Sequence, residues 1–261
     1  MPTILVGTDL TDQSLPAVVR GADLVRAAGG KLIVCHAAER AMPVNPLFPH
    51  EAGESIAAAV SAEQGVADAI SQQVSEATGL EDFDVVVDIG DPSTVICAQA
   101  KRHRADLVIV NADRPGAGAV ARELSMSPCS VLVVGPSAGD AVAIVALESE
   151  VDLVPKLAAA ARAASARPVS KFVVILWADS EARKTPLLAA LARTSEASGV
   201  PFEPWFAHLD DPSALARAAS DPAIGLVAMA APKPDKIVDR RASPLDDAFD
   251  GALASLLLLR G

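Results

Sequence analysis

The sequence predicts an α/β fold: two tandem domains, each a five-stranded parallel sheet covered on both faces by helices. Two observations carry this. Short runs of Val, Ile and Leu alternate with longer segments whose apolar residues recur every three or four positions, the pattern of strands and helices in βαβ units. The alternation also occurs twice, with matching residues at matching points of the two halves. A length of 261 residues accommodates two such domains.

Ile4-Leu5-Val6 is the first strand and ends at Gly7-Thr8-Asp9. A helix follows, with Thr11 or Asp12 as its N-cap and Pro16 close enough to the first turn to be tolerated. Leu15, Val18, Ala22 and Val25 form its apolar stripe, and Gly29-Gly30 stops it. Residues 31–36 are a second strand, apolar on both faces as a buried parallel strand should be. Pro43, Pro46 and Pro49 mark a loop. A long helix then carries the stripe Ile56, Val60, Ala67, Ile70 and Val74 and closes at Gly79. Val85-Val86-Val87 is a third strand, 92–104 a third helix and 107–110 a fourth strand. A short helix near 118–125 leads into the fifth strand, 131–134.

The second half repeats this order. Residues 143–146, 171–174, 226–229 and 256–259 read as strands one, two, four and five, and Gly199 precedes strand three as Gly79 does in the first half. Lys31-Leu32-Ile33-Val34 matches Lys171-Phe172-Val173-Val174 at an offset of 140. Asp91-Pro92-Ser93 matches Asp211-Pro212-Ser213 at an offset of 120, so the second copy is 20 residues shorter between these points. The join falls near Ser137-Ala138-Gly139, which gives domains 1–137 and 138–261.

Composition narrows the function. With 22 Lys+Arg against 33 Asp+Glu the net charge is −11, which argues against binding nucleic acid or an anionic membrane through bulk charge. No segment supplies the roughly 20 apolar residues of a membrane span, and the start lacks the basic region of a signal peptide. Cys35, Cys97 and Cys129 are odd in number and widely spaced without C-x-x-C. They read as reduced thiols of a cytoplasmic protein, not as disulfides or a zinc site.

Chemistry-bearing positions are few. Asp9 closes the first strand at the sheet edge where such folds bind ligands. It serves either as an acceptor for a sugar or base, or as a helix cap, and position alone leaves both open. Residues 113–121 contain G-x-G-x-x-A, but the helix after them has room for barely two turns and position 136 is proline, which argues against a dinucleotide fingerprint. Backbone amides at Gly116 and Gly118 remain suited to a phosphate, or form a tight turn. Lys233, Lys236, Arg240 and Arg241 are interleaved with Asp235 and Asp239, more a solvated loop than an anion site. Lys101-Arg102-His103-Arg104 complement the third helix's dipole. Cys35 and His36 are adjacent in a strand and point to opposite faces, so they form no nucleophile–base pair. No metal ligands and no catalytic motif are expected.

Ile4-Leu5-Val6-Gly7-Thr8-Asp9, the strand ending in His36-Ala37, Gly90 with Pro92, Ala105-Asp106-Leu107-Val108-Ile109-Val110 and Ser127-Pro128-Cys129-Ser130-Val131-Leu132-Val133-Val134 together resemble the universal stress protein family over residues 1–137. Residues 141–261 resemble the same plan in pattern more than in motif. The resemblance implies the doubly wound universal-stress-protein/adenine nucleotide alpha hydrolase-like fold in both five-stranded parallel-sheet domains, and pairing through the fifth strands. In one branch it also implies adenine-nucleotide binding by the Asp after strand one, the backbone past strand two and a G-x-x-G-x9-G-[ST] loop. Carried over, the site is Thr8, Asp9, Ala37, Asn111, Gly116, Gly118, Ala119 and Val120. Asn111 stands where the first glycine belongs, the segment is short, and Ala119 replaces the hydroxyl residue.

The resulting expectation is a cytoplasmic stress-response protein, a tandem member acting by binding and association without catalysis, its nucleotide affinity weak or lost. No cofactor is expected, with ATP or AMP as the ligand the site admits. Its expected partners are itself, through the strand-five edges (an intra-chain pseudo-dimer or a homodimer), and an unknown protein, but neither nucleic acid nor membrane. The alternative is an ATP- or AMP-binding signalling protein with a shortened phosphate loop in the N-terminal domain, one that could also hydrolyse ATP slowly. A third reading, adenylyl transfer, lacks the S-G-G-x-D-S loop and the H-x-G-H motif.

Overall fold

A computed structural model of the protein describes residues 1–38, 49–111, 127–146, 148–165, 167–178, 180–208, 211, 213–231 and 253–260. The chain divides into two compact units, Met1–Val110 and Asn111–Gly261. The proline loop before residue 49 and the short helix expected near 118–125 lie outside the described residues.

The first unit runs β1 (Thr3–Thr8), α1 (Leu15–Ala28), β2 (Lys31–Ala38), α2 (Pro49–Thr78), β3 (Asp84–Ile89), α3 (Pro92–His103) and β4 (Leu107–Asn111), the last reaching one residue into the second unit. The strand order is β3-β2-β1-β4 and every pair is parallel. The chain winds outward from β1 to β3 and then returns to the other side of β1, the reversal of a doubly wound sheet. Helices cover both faces. Gly21 of α1 lies against Val6, Leu32 and Ile109, whereas Gly7, pointing the opposite way, lies against Ile96 of α3.

α1 starts later than the sequence suggests. Asp12–Ser14 form a 3-10 turn first, and neither Thr11 nor Asp12 caps the helix with its side chain. The reason is local: the Thr11 hydroxyl turns back to donate to Asp9 Oδ1 at 2.6 Å. Pro16 then sits in the first two positions of α1, where its missing N–H costs nothing.

The second unit contains β5 (Ser130–Val134), β6 (Ala141–Val145), α4 (Val154–Ala164), β7 (Lys171–Trp177), α5 (Glu181–Ser198), β8 (Phe202–Ala207), α6 (Ala214–Ser220), β9 (Ile224–Ala230) and β10 (Ser255–Leu259). Its order is β5-β10-β9-β6-β7-β8. The run β8-β7-β6-β9 repeats β3-β2-β1-β4, so the duplication read from the residues has the same winding in both units. The pair β5–β10 is antiparallel, with Val133 opposite Leu256 and Val131 opposite Leu258; the other pairs are parallel. α5 has 18 residues where α2 has 30, which accounts for part of the shortening.

Asp91 and Asp211, which open the repeated Asp-Pro-Ser triplets, each bond the serine two positions on. Asp91 Oδ1 accepts from the Ser93 hydroxyl at 2.6 Å and from the Thr94 N–H at 3.1 Å, capping α3. Those hydrogen bonds hold its carboxyl below the usual carboxylate range. Asp211 accepts from the Ser213 hydroxyl at 2.6 Å and pairs with Arg217 at 2.7 Å. Arg217 first, then Ser213, holds the Asp211 carboxyl at about 2.

Gly21 marks a close approach of α1 to the sheet in the first unit. A Cβ there would lie 2.5 Å from Val6 Cγ2 and 3.1 Å from Leu32 Cδ1. Gly21→Ala should therefore lower unfolding stability by about 1–3 kcal/mol through overpacking, more than the ~0.5–1 kcal/mol that alanine adds to helix propensity. Urea denaturation should show a lower midpoint with an unchanged slope.

Candidate functional site

The carboxyl edge of the first unit is shaped by the end of β1. Gly7 is small because α3 occupies the space beside it: a Cβ would meet Ile96 Cδ1 at 2.8 Å and Val110 Cγ1 at 3.3 Å. Thr8 follows, buried at 8% exposure. Ser14 gives its proton to the Thr11 carbonyl at 2.9 Å, so the Thr8 hydroxyl is the donor in the 2.8 Å contact with Ser14 Oγ. Thr8 Oγ1 in turn accepts from the Leu10 N–H at 3.2 Å.

Asp9 lies in a tight turn, its Oδ1 accepting from the Thr11 N–H at 3.0 Å and the Thr11 hydroxyl at 2.6 Å. Leu10 has φ +66°, a left-handed backbone that costs a side-chain-bearing residue about 1–2 kcal/mol. The loop is held against that strain from outside. Gln73 of α2 donates to the Leu10 carbonyl at 3.4 Å, and His36 Nδ1 of β2 lies 2.9 Å from the Thr8 carbonyl.

β2 brings the second part of the edge. In register Thr8 stands beside His36, which stands beside Val87, and Ala37 stands beside Asp88. Ala37 and Ala38 are half-buried. Asp88 accepts from Gln99 Nε2 at 2.9 Å and from the Ile89 N–H at 2.8 Å. One position earlier than His36, the Cys35 thiol is buried, and that burial, with the charge of Asp88 adding, pushes it up to about 12.

Of the residues singled out from the sequence, Thr8, Asp9 and Ala37 come together at this edge. Asn111 ends β4, half-buried, as the first residue of the second unit. Gly116, Gly118, Ala119 and Val120 lie outside the described residues, as do the basic positions Lys233, Lys236, Arg240 and Arg241. Sequence reasoning missed Leu10, Ser14, His36 and Gln73 as parts of the Asp9 loop. Only His36 left a signal, as the polar residue that follows the apolar run of residues 32–35.

The universal stress protein family model matches residues 1–135. The chain belongs to the universal stress protein family. A search of curated proteins finds no match. Among solved structures, a universal stress protein from Archaeoglobus fulgidus DSM 4304 is similar at 13% identity and a TM-score of 0.66, covering 99% of this chain and 96% of that one. The cytoplasmic domain of a prokaryotic cation chloride cotransporter is similar at 13% identity and TM-score 0.52, covering 99% and 95%. A universal stress protein in complex with cAMP matches at 24% identity and TM-score 0.37, covering 51% of this chain and 95% of that one. The first two establish the doubly wound α/β fold along the whole length, which the family model alone does not reach.

Within this universal stress protein fold the edge offers a half-buried carboxylate and a backbone corner already fixed by hydrogen bonds. Removing the Thr8 hydroxyl should loosen it. Thr8→Val leaves the Leu10 N–H without its acceptor and Ser14 Oγ without its donor, and should cost about 1–3 kcal/mol in chemical denaturation. The Cys35 thiol sets an alkaline limit. The unfolded thiol ionises near its ordinary 9.0 and the folded one near about 12, so between these values the unfolded state sheds a proton the folded state keeps. Stability should fall with rising pH there, by up to about 1.4 kcal/mol per unit, and Cys35→Ala should flatten that slope.

Proposed function

We propose that this universal stress protein is a cytoplasmic stress-response protein that acts by binding and association without turnover, taking an adenine nucleotide weakly at the carboxyl edge of its first unit. The observation that carries the nucleotide reading is the Asp9 loop, a carboxylate at the end of the central strand beside the half-buried Ala37 and Ala38. Family membership supports an adenine ligand. Weakness follows from chemistry: Ala119 cannot donate a hydroxyl to a phosphate, a charge-assisted bond worth about 1.5–3 kcal/mol.

Binding without turnover is supported by the state of the two reactive groups nearest the edge. Cys35 is buried and its thiol is far from ionising, and the ring of His36 is engaged with the Thr8 carbonyl. That Cys35, Cys97 and Cys129 stand outside any disulfide supports a reducing compartment, and no helix among the described residues is long and apolar enough to cross a membrane. The repeat supports reading the chain as domains 1–137 and 138–261. The antiparallel β5–β10 pair supports strand-five association inside one chain.

Calorimetric titration of AMP and of ATP–Mg²⁺ into the full chain and its Asp9→Ala variant tests the reading. A Kd between about 0.1 and 1 mM is expected, and no heat from the variant. Micromolar binding that disappears in the variant would replace the weak site with a working nucleotide sensor. Silence at about 10 mM would leave association alone.

A further inference from the structure

We propose that His36 is the positioning residue of the Asp9 loop: it sets the backbone from which Asp9 meets the nucleotide and so controls affinity without touching the ligand. This rests on the nucleotide reading above. The geometry starts with register. Thr8 and His36 are partners at the last paired position of β1 and β2, so their side chains share one face, and Cys35 takes the other. At that position the His36 ring turns along the strand end and brings Nδ1 to 2.9 Å from the Thr8 carbonyl oxygen.

That carbonyl is one half of the Thr8–Asp9 peptide. A peptide is planar, so fixing its oxygen fixes the direction of the Asp9 N–H and the point from which the Asp9 side chain departs. A carbonyl oxygen only accepts, so the proton resides on His36 Nδ1 and the ring bonds the loop as a donor. The other ties are of a different kind. Ser14 and Thr11 belong to the loop's own continuation, and Gln73 reaches the Leu10 carbonyl at 3.4 Å, beyond Asp9. His36 joins the turn to the neighbouring strand before Asp9, upstream of the strained Leu10 at φ +66°. A corner held on both sides of Asp9 has its binding geometry prepared in advance, which spares the ligand the cost of ordering it.

The test compares His36→Asn, His36→Gln and His36→Ala in the full chain, with AMP as the probe. The Asn amide nitrogen reaches where Nδ1 sits, and the Gln amide reaches where Nε2 sits. Expected is a loss of about tenfold in AMP affinity for His36→Gln and His36→Ala, with His36→Asn within about threefold of the parent. Proton–nitrogen correlation spectra of the imidazole should show the Nδ1–H tautomer with and without AMP. Circular dichroism at the titration temperature establishes which variants are folded; should His36→Ala not fold, the Asn and Gln pair still decides. An Nε2–H tautomer overturns the proposal. So do equal affinities in all variants, or affinity kept by Gln and lost by Asn, which would make the ring a direct ligand through Nε2. If the parent binds no AMP, the nucleotide reading fails and this role with it, and the tautomer then records a tie that serves the fold alone.

Discussion

β1 has no surface of its own. It is hydrogen-bonded to β2 on one side and β4 on the other, and Leu5 and Val6, which face opposite ways, are both fully buried. A strand in that position must be apolar on every side chain, and whatever packs over it must approach closely. This one constraint runs through the first unit. It explains the glycines at Gly7 and Gly21, where Ile96 and Val6 fill the space a Cβ would need. It also explains why polar chemistry is pushed to the strand's two ends, where the Thr3 N–H donates to Asp106 and Thr8 bonds Ser14 and Leu10. The Asp9 loop is polar because there the central strand leaves the sheet for partial exposure.

The second unit solves the same problem with different material. Ile144 and Ala143 of β6 are fully buried on opposite faces, between β7 and β9. Here the edge strand β8 carries Phe202, Trp205 and Phe206. Phe202 packs edge-on to Phe172, and Arg217 and Lys184 lie over the Trp205 and Phe206 rings. Cations over aromatic faces cover apolar surface while keeping charge in water. The shorter helices of this unit thus leave long side chains to finish the covering.

The strand–helix alternation of both units was readable because buried parallel strands are rich in Val, Ile and Leu, and that composition separates them from helices with stripes; the winding itself came only with the family resemblance. The repeated order was readable too, through Asp91-Pro92-Ser93 and its copy, because in both copies the aspartate takes the hydroxyl proton of the serine two positions on where the helix opens. What pattern cannot carry is partnership. Nothing in Leu256-Leu257-Leu258 distinguishes a parallel neighbour from an antiparallel one, yet β10 has one of each. The site was half legible for a similar reason. Asp9 and Ala37 stand out by position at strand ends. The left-handed Leu10 does not, because glycine or asparagine is the usual residue for that backbone. The ties from His36 and Gln73 depend on register and on helix placement, which no local window contains.

The pairing of β5 with β10 has a consequence for how the protein is made. Val133 meets Leu256 across a stretch of chain that holds nearly all of the second unit. On a ribosome, β5 emerges long before residues 255–259 exist. Until they do, the β10-facing side of a strand reading Ser-Val-Leu-Val-Val displays bare amide and carbonyl groups beside buried-type side chains. Such an open edge invites pairing with a neighbouring nascent chain. The interval between the synthesis of these two strands is therefore a stage at which this edge stands open to intermolecular pairing.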